Sequence, residues 1–269
     1  AQFDIVFEGG GTKGVAFAGA LKALLEEGHS WGRLVGVSAG AIAATFCAAG
    51  YHPSEVEGLF TEQVDGKHRF LSFLDPPRAE DFSSESKERS VTMSILRSID
   101  LPILPEAIER RLERVLLDAL LQNSRYARLF SFVEYGGFYS GRAFLEWIQE
   151  KLALKGIPFG CTLAQFHERT GADLTVTAAD ATAMDLLVLN HRTAPDLPVA
   201  WAVRMSMSIP FVWQEVVWRR EWGRYCGHEV AGHTVVDGGV LSNFPIWLLT
   251  SDTPELARLM GQRSGASEI

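Results

Sequence analysis

From Leu34 to Gly50 the chain carries no charged residue, and Gly36-Val37-Ser38-Ala39-Gly40 interrupts that run near its start. A membrane span needs about 20 mostly apolar residues in one stretch. Broken by glycine, this run reads instead as buried structure: a short strand, Leu34 to Val37, turning directly into an Ala-rich helix, Ala39 to Ala49. A helix that is apolar all round has to be covered on every side. The residues before it repeat the pattern. Phe3 to Phe7 is a short apolar run ending at Glu8 and three glycines, and Val15 to Glu27 has Ala and Leu at helical spacing, with Gly28 as its stop. Strand, helix, strand, helix implies parallel βαβ units with helices on both faces of a sheet.

A length of 269 residues permits one large domain with a full core, and no repeat, low-complexity tract or Ser/Gly-rich linker divides it. A single domain over 1–269 is expected. The net charge of −8 disfavours non-specific nucleic-acid binding. Cys47, Cys161 and Cys226 are an odd number set far apart, which argues against a disulfide scaffold, and nothing has zinc-ligand spacing. The expectation is no metal and no cofactor. The start, Ala1-Gln2-Phe3-Asp4, lacks the basic n-region of a signal peptide, so a cytoplasmic setting is expected.

Further along, Ser54-Glu55-Val56-Glu57 has capping-box spacing for a helix reaching about Gln63. Gly66 to Leu104 reads as irregular, an insertion or flap, with the apolar Val91 to Leu104 as either a lipid-facing flap or a packed helix. Pro105 fits the first turn of a long amphipathic helix, Glu106 to Leu121. Ser140 is placed to cap Gly141 to Leu154, and Thr162 with Gln165 to cap another short helix. Leu174 to Ala178, Leu186 to Leu189, Phe211 to Val217 and Thr234 to Val236 read as strands.

Three segments carry chemistry. Gly9-Gly10-Gly11-Thr12-Lys13-Gly14 lies between strand and helix, where glycines let the backbone turn tightly and aim N–H groups at an anion. Gly9, Gly11 and Gly14 also fit the dinucleotide fingerprint G-x-G-x-x-G, but Glu26 and Glu27 come too early for the acid such a site places about 20 residues on. Gly36 to Gly40 is G-x-S-x-G at a strand–helix join, the setting of a nucleophile elbow: Gly36 and Gly40 allow the sharp bend, and Ser38 is thrust out at its tip. Asp237-Gly238-Gly239 follows the apolar Thr234 to Val236, an acid at a strand end with backbone free to approach closely. Taken alone it is also an ordinary Asp-Gly turn. Together the three supply oxyanion donors, a nucleophile and a carboxylate to take its proton.

In this order, G-G-G-x-K-G, G-x-S-x-G and D-G-G, the sequence resembles the patatin-like phospholipases. Arg204-Met205-Ser206-Met207-Ser208-Ile209-Pro210-Phe211 is similar to the family's S-x-S-I-P segment, and Asn243 to Pro245 follows Asp237 as it does there. The likeness runs from about Phe3 to Leu249 and is weakest from Gly66 to Phe132; a strand that members commonly add later is not evident after Ser251. The resemblance implies a three-layer α/β/α fold with a mainly parallel central sheet and a variable helical insertion over about 66–132. It implies a Ser38–Asp237 dyad without histidine, an acyl-enzyme on Ser38, and an oxyanion hole from the N–H groups of Gly10, Gly11 and Ala39. Lys13 then supports the loop. The implied substrate is a membrane lipid or other acyl ester, with peripheral membrane contact or export as an effector open, as are self-association and a protein activator.

Two other readings stand beside it. An α/β-hydrolase triad would run Ser38, then Asp180 or Asp185, then His228 or His233. A non-catalytic lipid-binding protein would keep the fold without turnover. Trp201, Trp213, Trp218 and Trp222 suit either a lipid-facing wall or a core.

Overall fold

The computed structural model describes residues 1–98 and 106–261; the side chains of Thr12, Lys13, Glu106, Ala107 and Glu109 lie outside that description. The described chain groups into two units, one of Ala1–Leu71, Phe144–Ile209 and the residues from Val216 onward, the other of Ser72–Ala143 with Pro210–Glu215.

The first unit is built on a six-stranded sheet. The opening strand Gln2–Phe7 pairs in parallel with the elbow strand Ser30–Val37, which pairs in parallel with the central strand Asp173–Asp180. Asp185–Leu189 and the returning strand Thr234–Asp237 both run antiparallel to the central strand, and Val216–Val217 runs antiparallel to the returning strand. Four of the six strands therefore point the same way, the mainly parallel sheet that the resemblance implies. The central strand is buried along nearly its whole length, and such strands read as apolar runs because both faces are covered. Ala39–Ala48, with every residue buried, packs on the elbow and central strands; Val199–Ser206 packs on the central and returning strands.

Several boundaries differ from expectation. The helix read from Ser54 begins at Pro53, one residue earlier, and His52 is its cap: the Glu55 carboxylate accepts the His52 N–H at 2.7 Å, and His52 Nδ1 accepts from Ser54. Proline is pre-set for a first helical position and has no N–H to lose there, so Pro53 moves the start. Thr162 and Gln165 form the expected reciprocal cap, at 3.1 and 3.3 Å. The strand read as Phe211–Val217 is two pieces: Val216–Val217 joins the main sheet, and Phe211–Trp213 pairs with Gly137–Tyr139 in the second unit.

The second unit contains much of the segment read as irregular, and it is largely helical. Ser83 and Ser90 each accept an amide of the helix that follows, starting Ser84–Arg89 and Val91–Arg97. Val91–Arg97 is a packed helix: Met93 is buried with Phe82, Leu117, Leu121, Ala127 and Phe130. The rest of the expected flap, 99–104, and Pro105 lie outside the described residues. Glu106–Leu121 is helical as expected, while Ser124–Tyr135, capped by Asn123 and closed by a left-handed Gly136, is a helix that sequence analysis does not anticipate.

Trp201, Trp213, Trp218 and Trp222 pack within the fold. Trp218 and Trp222 are buried, the Arg219 guanidinium lies 4.6 Å from the Trp201 ring and 5.0 Å from that of Trp222, and Trp213 Nε1 donates to Phe73 O at 2.8 Å.

Candidate active site

Two strands converge on one edge of the central strand. The elbow strand reaches Val37 opposite Thr177, and the returning strand reaches Asp237 opposite Ala178 from the other direction. Asp185–Leu189 occupies the far edge along Val176 to Asp180, so both must lie on the remaining one. One is parallel to the central strand and the other antiparallel, and their carboxyl ends therefore meet head-on. Ser38 is the residue after the first end; Asp237 is the second end itself.

Ser38 has φ 53° and ψ −121°, a region an L-residue keeps only when its surroundings dictate it. They do so here by close approach. A Cβ on Gly36 would sit 2.4 Å from Gly40 O, and one on Gly40 would sit 2.2 Å from Phe7 O. The Ser38 carbonyl accepts from Ala41 and Ile42 at 2.9 and 3.3 Å, and the half-buried serine thereby starts the helix Ala39–Ala48. Ala39 N–H belongs to the first turn, whose amides have no partner within the helix and carry the positive end of its dipole. The Ser38 N–H donates to Ser206 Oγ at 2.9 Å.

Asp237 is buried. Its Oδ1 accepts the Gly239 amide at 2.7 Å, while Oδ2 is enclosed with no hydrogen-bond partner at normal distance. Burial pushes the carboxyl above the usual carboxylate range; the Ser38 hydroxyl and the Gly239 amide, both donors toward the ionised form, pull it partly back. The Asp237 N–H donates to Ser208 O at 2.9 Å.

The glycine loop is tied to this centre by Asn243. Gly9 N–H donates to Asn243 O at 3.1 Å and Asn243 Nδ2 donates to Gly9 O at 2.9 Å. A Cβ on Gly9 would lie 2.2 Å from Asn243 Oδ1 and 3.4 Å from Ser38 Cβ, so the loop's first glycine faces the nucleophile. With the Gly9 amide engaged, the amides of Gly10 and Gly11 are the loop's candidates for an oxyanion. Gly11 has φ 53° and opens the short 3-10 turn Gly11–Gly14. Gly14 abuts the Phe60 ring and Gly238 abuts Thr177 O; the Lys13 side chain lies outside the described residues.

Of the triad candidates, His228 forms a bridge with Tyr225, His233 binds Asp180, and the Asp185 carboxylate accepts its neighbour's amide. Neither histidine hydrogen-bonds Ser38 or Asp237 among the described residues. Ser206 and Asn243 lie in segments that the family resemblance picks out, but what they hold is set by partners 168 and 234 residues away. Among the described residues no group of three or more His, Cys, Asp or Glu gathers to hold a metal, and no helix is long and apolar enough to cross a membrane.

Comparison with known proteins follows the same lines. The family model described as patatin-like phospholipase matches residues 5–250. The uncharacterized protein YqhO of Bacillus subtilis (strain 168) is 34% identical over 255 residues, 93% of this chain and 67% of that protein. The probable lipid hydrolase 463L of Invertebrate iridescent virus 6 is 22% identical over 242 residues, 90% of this chain and 61% of its own length. Among solved structures, VipD from Legionella pneumophila shares the fold, with a TM-score of 0.50 and 22% identity over 90% of this chain and 47% of VipD.

Proposed function

The chain belongs to the patatin-like phospholipase family, and on that premise we propose that it hydrolyses acyl ester bonds of lipids with a Ser38–Asp237 dyad. The observation that carries this reading is the head-on meeting of the elbow strand and the returning strand, which brings a serine held at φ 53° to a buried carboxylate with one oxygen uncommitted.

In the reaction, Ser38 Oγ attacks the ester carbonyl while its proton passes to Asp237 Oδ2. The carbonyl electrons move onto oxygen, and the N–H groups of Gly10, Gly11 and Ala39 stabilise that oxyanion. Collapse expels the alcohol, which takes the proton from Asp237, and leaves the acyl group on Ser38. Water then attacks the acyl carbon, gives its proton to Asp237, and the acid departs as Ser38 recovers a proton. An ordinary carboxylate is a weak base at neutral pH; burial raises the pKa of Asp237 and brings it closer to the task.

The surface beyond Asp237 supports a lipid as the substrate. Val240, Leu241, Phe244, Ile246 and Trp247 are exposed, and Gly238 to Ser251 carries no charge. That surface suits acyl chains and peripheral contact with a lipid interface, and the name of the viral relative points the same way. Phospholipids and lysophospholipids are the proposed esters.

A fluorophosphonate probe should label the wild-type chain on Ser38, and a panel of defined lipids analysed by mass spectrometry should show release of free fatty acid. Ser38→Ala should lose both. Labelling that persists in the folded variant would overturn the assignment.

A further inference from the structure

Ser38 and Asp237 arrive on separate strands, yet both are fastened to one short segment, Ser38 to Ser206 and Asp237 to Ser208. Ser38 N–H donates to Ser206 Oγ at 2.9 Å, and Asp237 N–H donates to Ser208 O at 2.9 Å. Ser206 is the last residue of the helix Val199–Ser206, and Ser208 lies two residues beyond it; both are fully buried. This helix end is itself stiff. Met207 N–H bonds Val203 O at 3.1 Å, Ser208 N–H bonds Met205 O at 3.1 Å, and Ser208 Oγ donates to Arg204 O at 2.7 Å. The buried Arg204 guanidinium donates to Ser208 Oγ in turn.

From this geometry we infer that the Ser206 hydroxyl is a positioning residue, holding the amide of the strained elbow so that the Ser38 hydroxyl stays in register with Asp237. The inference rests on the dyad reading. The sheet alone does not set that register. The elbow and returning strands end against neighbouring residues of the central strand without pairing with each other, so a small shift of either end changes the distance between hydroxyl and carboxylate. The helix end refers both backbones to one rigid base. The elbow amide has no other role: it lies before the helix, and the amide assigned to the oxyanion is that of Ala39. Without Ser206 Oγ, Ser38 N–H is left in a half-buried place without its partner, an arrangement that favours relaxation of φ away from 53°. Misplacement by about 1 Å is enough to cost about 100-fold in rate.

The test compares Ser206→Ala, which removes the acceptor, with Ser206→Thr, which keeps it. Turnover is read with p-nitrophenyl butyrate, a short ester that needs no lipid interface, and exchange of the Ser38 amide is read by NMR. Ser206→Ala should lower kcat about 10- to 100-fold with KM little changed, exchange the Ser38 amide faster, and shift the acid limb of kcat/KM upward as the Ser38 hydroxyl draws away from Asp237. Ser206→Thr should restore protection and most of the rate. A folded Ser206→Ala chain with wild-type rate and protection overturns the proposal, as does a folded Ser206→Thr chain that is as slow as Ser206→Ala. Should the alanine variant not fold, Ser206→Cys fills the same space with a poorer acceptor, and unchanged amide exchange there overturns the proposal equally. Amide exchange needs no turnover. A wild-type chain that neither cleaves esters nor takes the fluorophosphonate defeats the hydrolase reading, while exchange still decides the contact.

Discussion

The imidazole of His233 and the carboxylate of Asp180 meet at 2.7 Å, Nδ1 to Oδ2. Asp180 is buried, and its other oxygen accepts the amides of Thr182 and Ala183 at 2.9 Å each. This is the acid–imidazole pair a hydrolase triad needs, set at the far end of the returning strand. Asp180 faces Val235, and four residues of extended chain, about 13 Å at about 3.3 Å each, separate His233 from Asp237. A base must come within hydrogen-bond reach of the proton it takes. His233→Ala should therefore keep kcat within about threefold of wild type, while its Tm falls because Asp180 loses a partner. His228→Ala should also retain activity. A loss of about 1,000-fold in either folded variant would establish the triad instead.

Asp237→Asn should separate activity from stability. For an acid whose pKa rises on folding, the unfolded chain ionises first as pH climbs. Native stability therefore falls from the ordinary carboxylate value, about 3.9, up through the raised value, and the penalty persists at neutral pH. Asparagine carries no charge and can still accept the Gly239 amide. We expect ester turnover to drop by about 1,000-fold or more, with Tm higher than wild type at pH 7. The gain should fade below about pH 4 and vanish near about pH 3, where wild-type Asp237 is protonated in both states. A lower Tm at pH 7 would contradict the burial argument.

Two substitutions at Ser38 isolate the backbone strain. Both Ser38→Ala and Ser38→Gly should be inactive. Alanine keeps a Cβ at φ 53°, whereas glycine adopts that region freely. Ser38→Gly should be the more stable of the two by about 1 kcal/mol in denaturant unfolding. Equal stabilities would mean that the elbow relaxes once the serine is gone.

At Gly40 the constraint is space. An added Cβ would meet Phe7 O at 2.2 Å and Glu8 O at 2.6 Å, and these are backbone atoms at the end of the opening strand and just beyond it, which cannot swing aside. Gly40→Ala should cost about 2 kcal/mol or more and, by pushing the glycine loop that follows Glu8, lower kcat even where the chain still folds. Unfolding curves and p-nitrophenyl butyrate turnover check both halves.

His191 gives the protein an acid-sensitive element away from the site. Its ring stacks on that of His167, with centroids 3.7 Å apart and planes 2° from parallel. Burial first, then the nearby Arg192 and His167, pushes its pKa down to about 4. A histidine with a depressed folded pKa takes its proton first in the unfolded chain, so the native state loses stability as pH falls from about 6.5 to about 4. Asp237 acts in the opposite sense, so the measurement belongs in the Asp237→Asn background. There, urea midpoints should decline over that window, and His191→Phe, which preserves the stack, should flatten the decline.

The strand–glycine–helix order of the first fifty residues, the elbow at Gly36 to Gly40 and the Asp237-Gly238-Gly239 turn were legible because their causes are local: apolar period, helix stops, and glycine where backbones crowd. Where local signals compete, the reading shifts. Pro53 overrode the Ser54 cap, and Phe211 to Val217, apolar enough for one strand, is divided between two sheets because pairing partners, not propensity, decide where a strand ends. The helix Ser124–Tyr135 carries its own local signals, an Asn123 cap and a Gly136 stop around an amphipathic interior, and was legible in principle.

By itself, then, the sequence determined which residues are the candidates for the chemistry and what backbone each occupies, since an elbow or an Asp-Gly turn is specified within a few bonds of its centre. Only the tertiary structure decided which of them meet. That the returning strand runs antiparallel, so that Asp237 and not His233 faces Ser38, depends on its pairing with the central strand more than fifty residues earlier. Likewise Ser206 reaches the elbow across 168 residues and Asn243 reaches Gly9 across 234. Such contacts are chosen by the packing of whole strands and helices, and the spacing of neighbours along the chain does not say which distant residue each one meets.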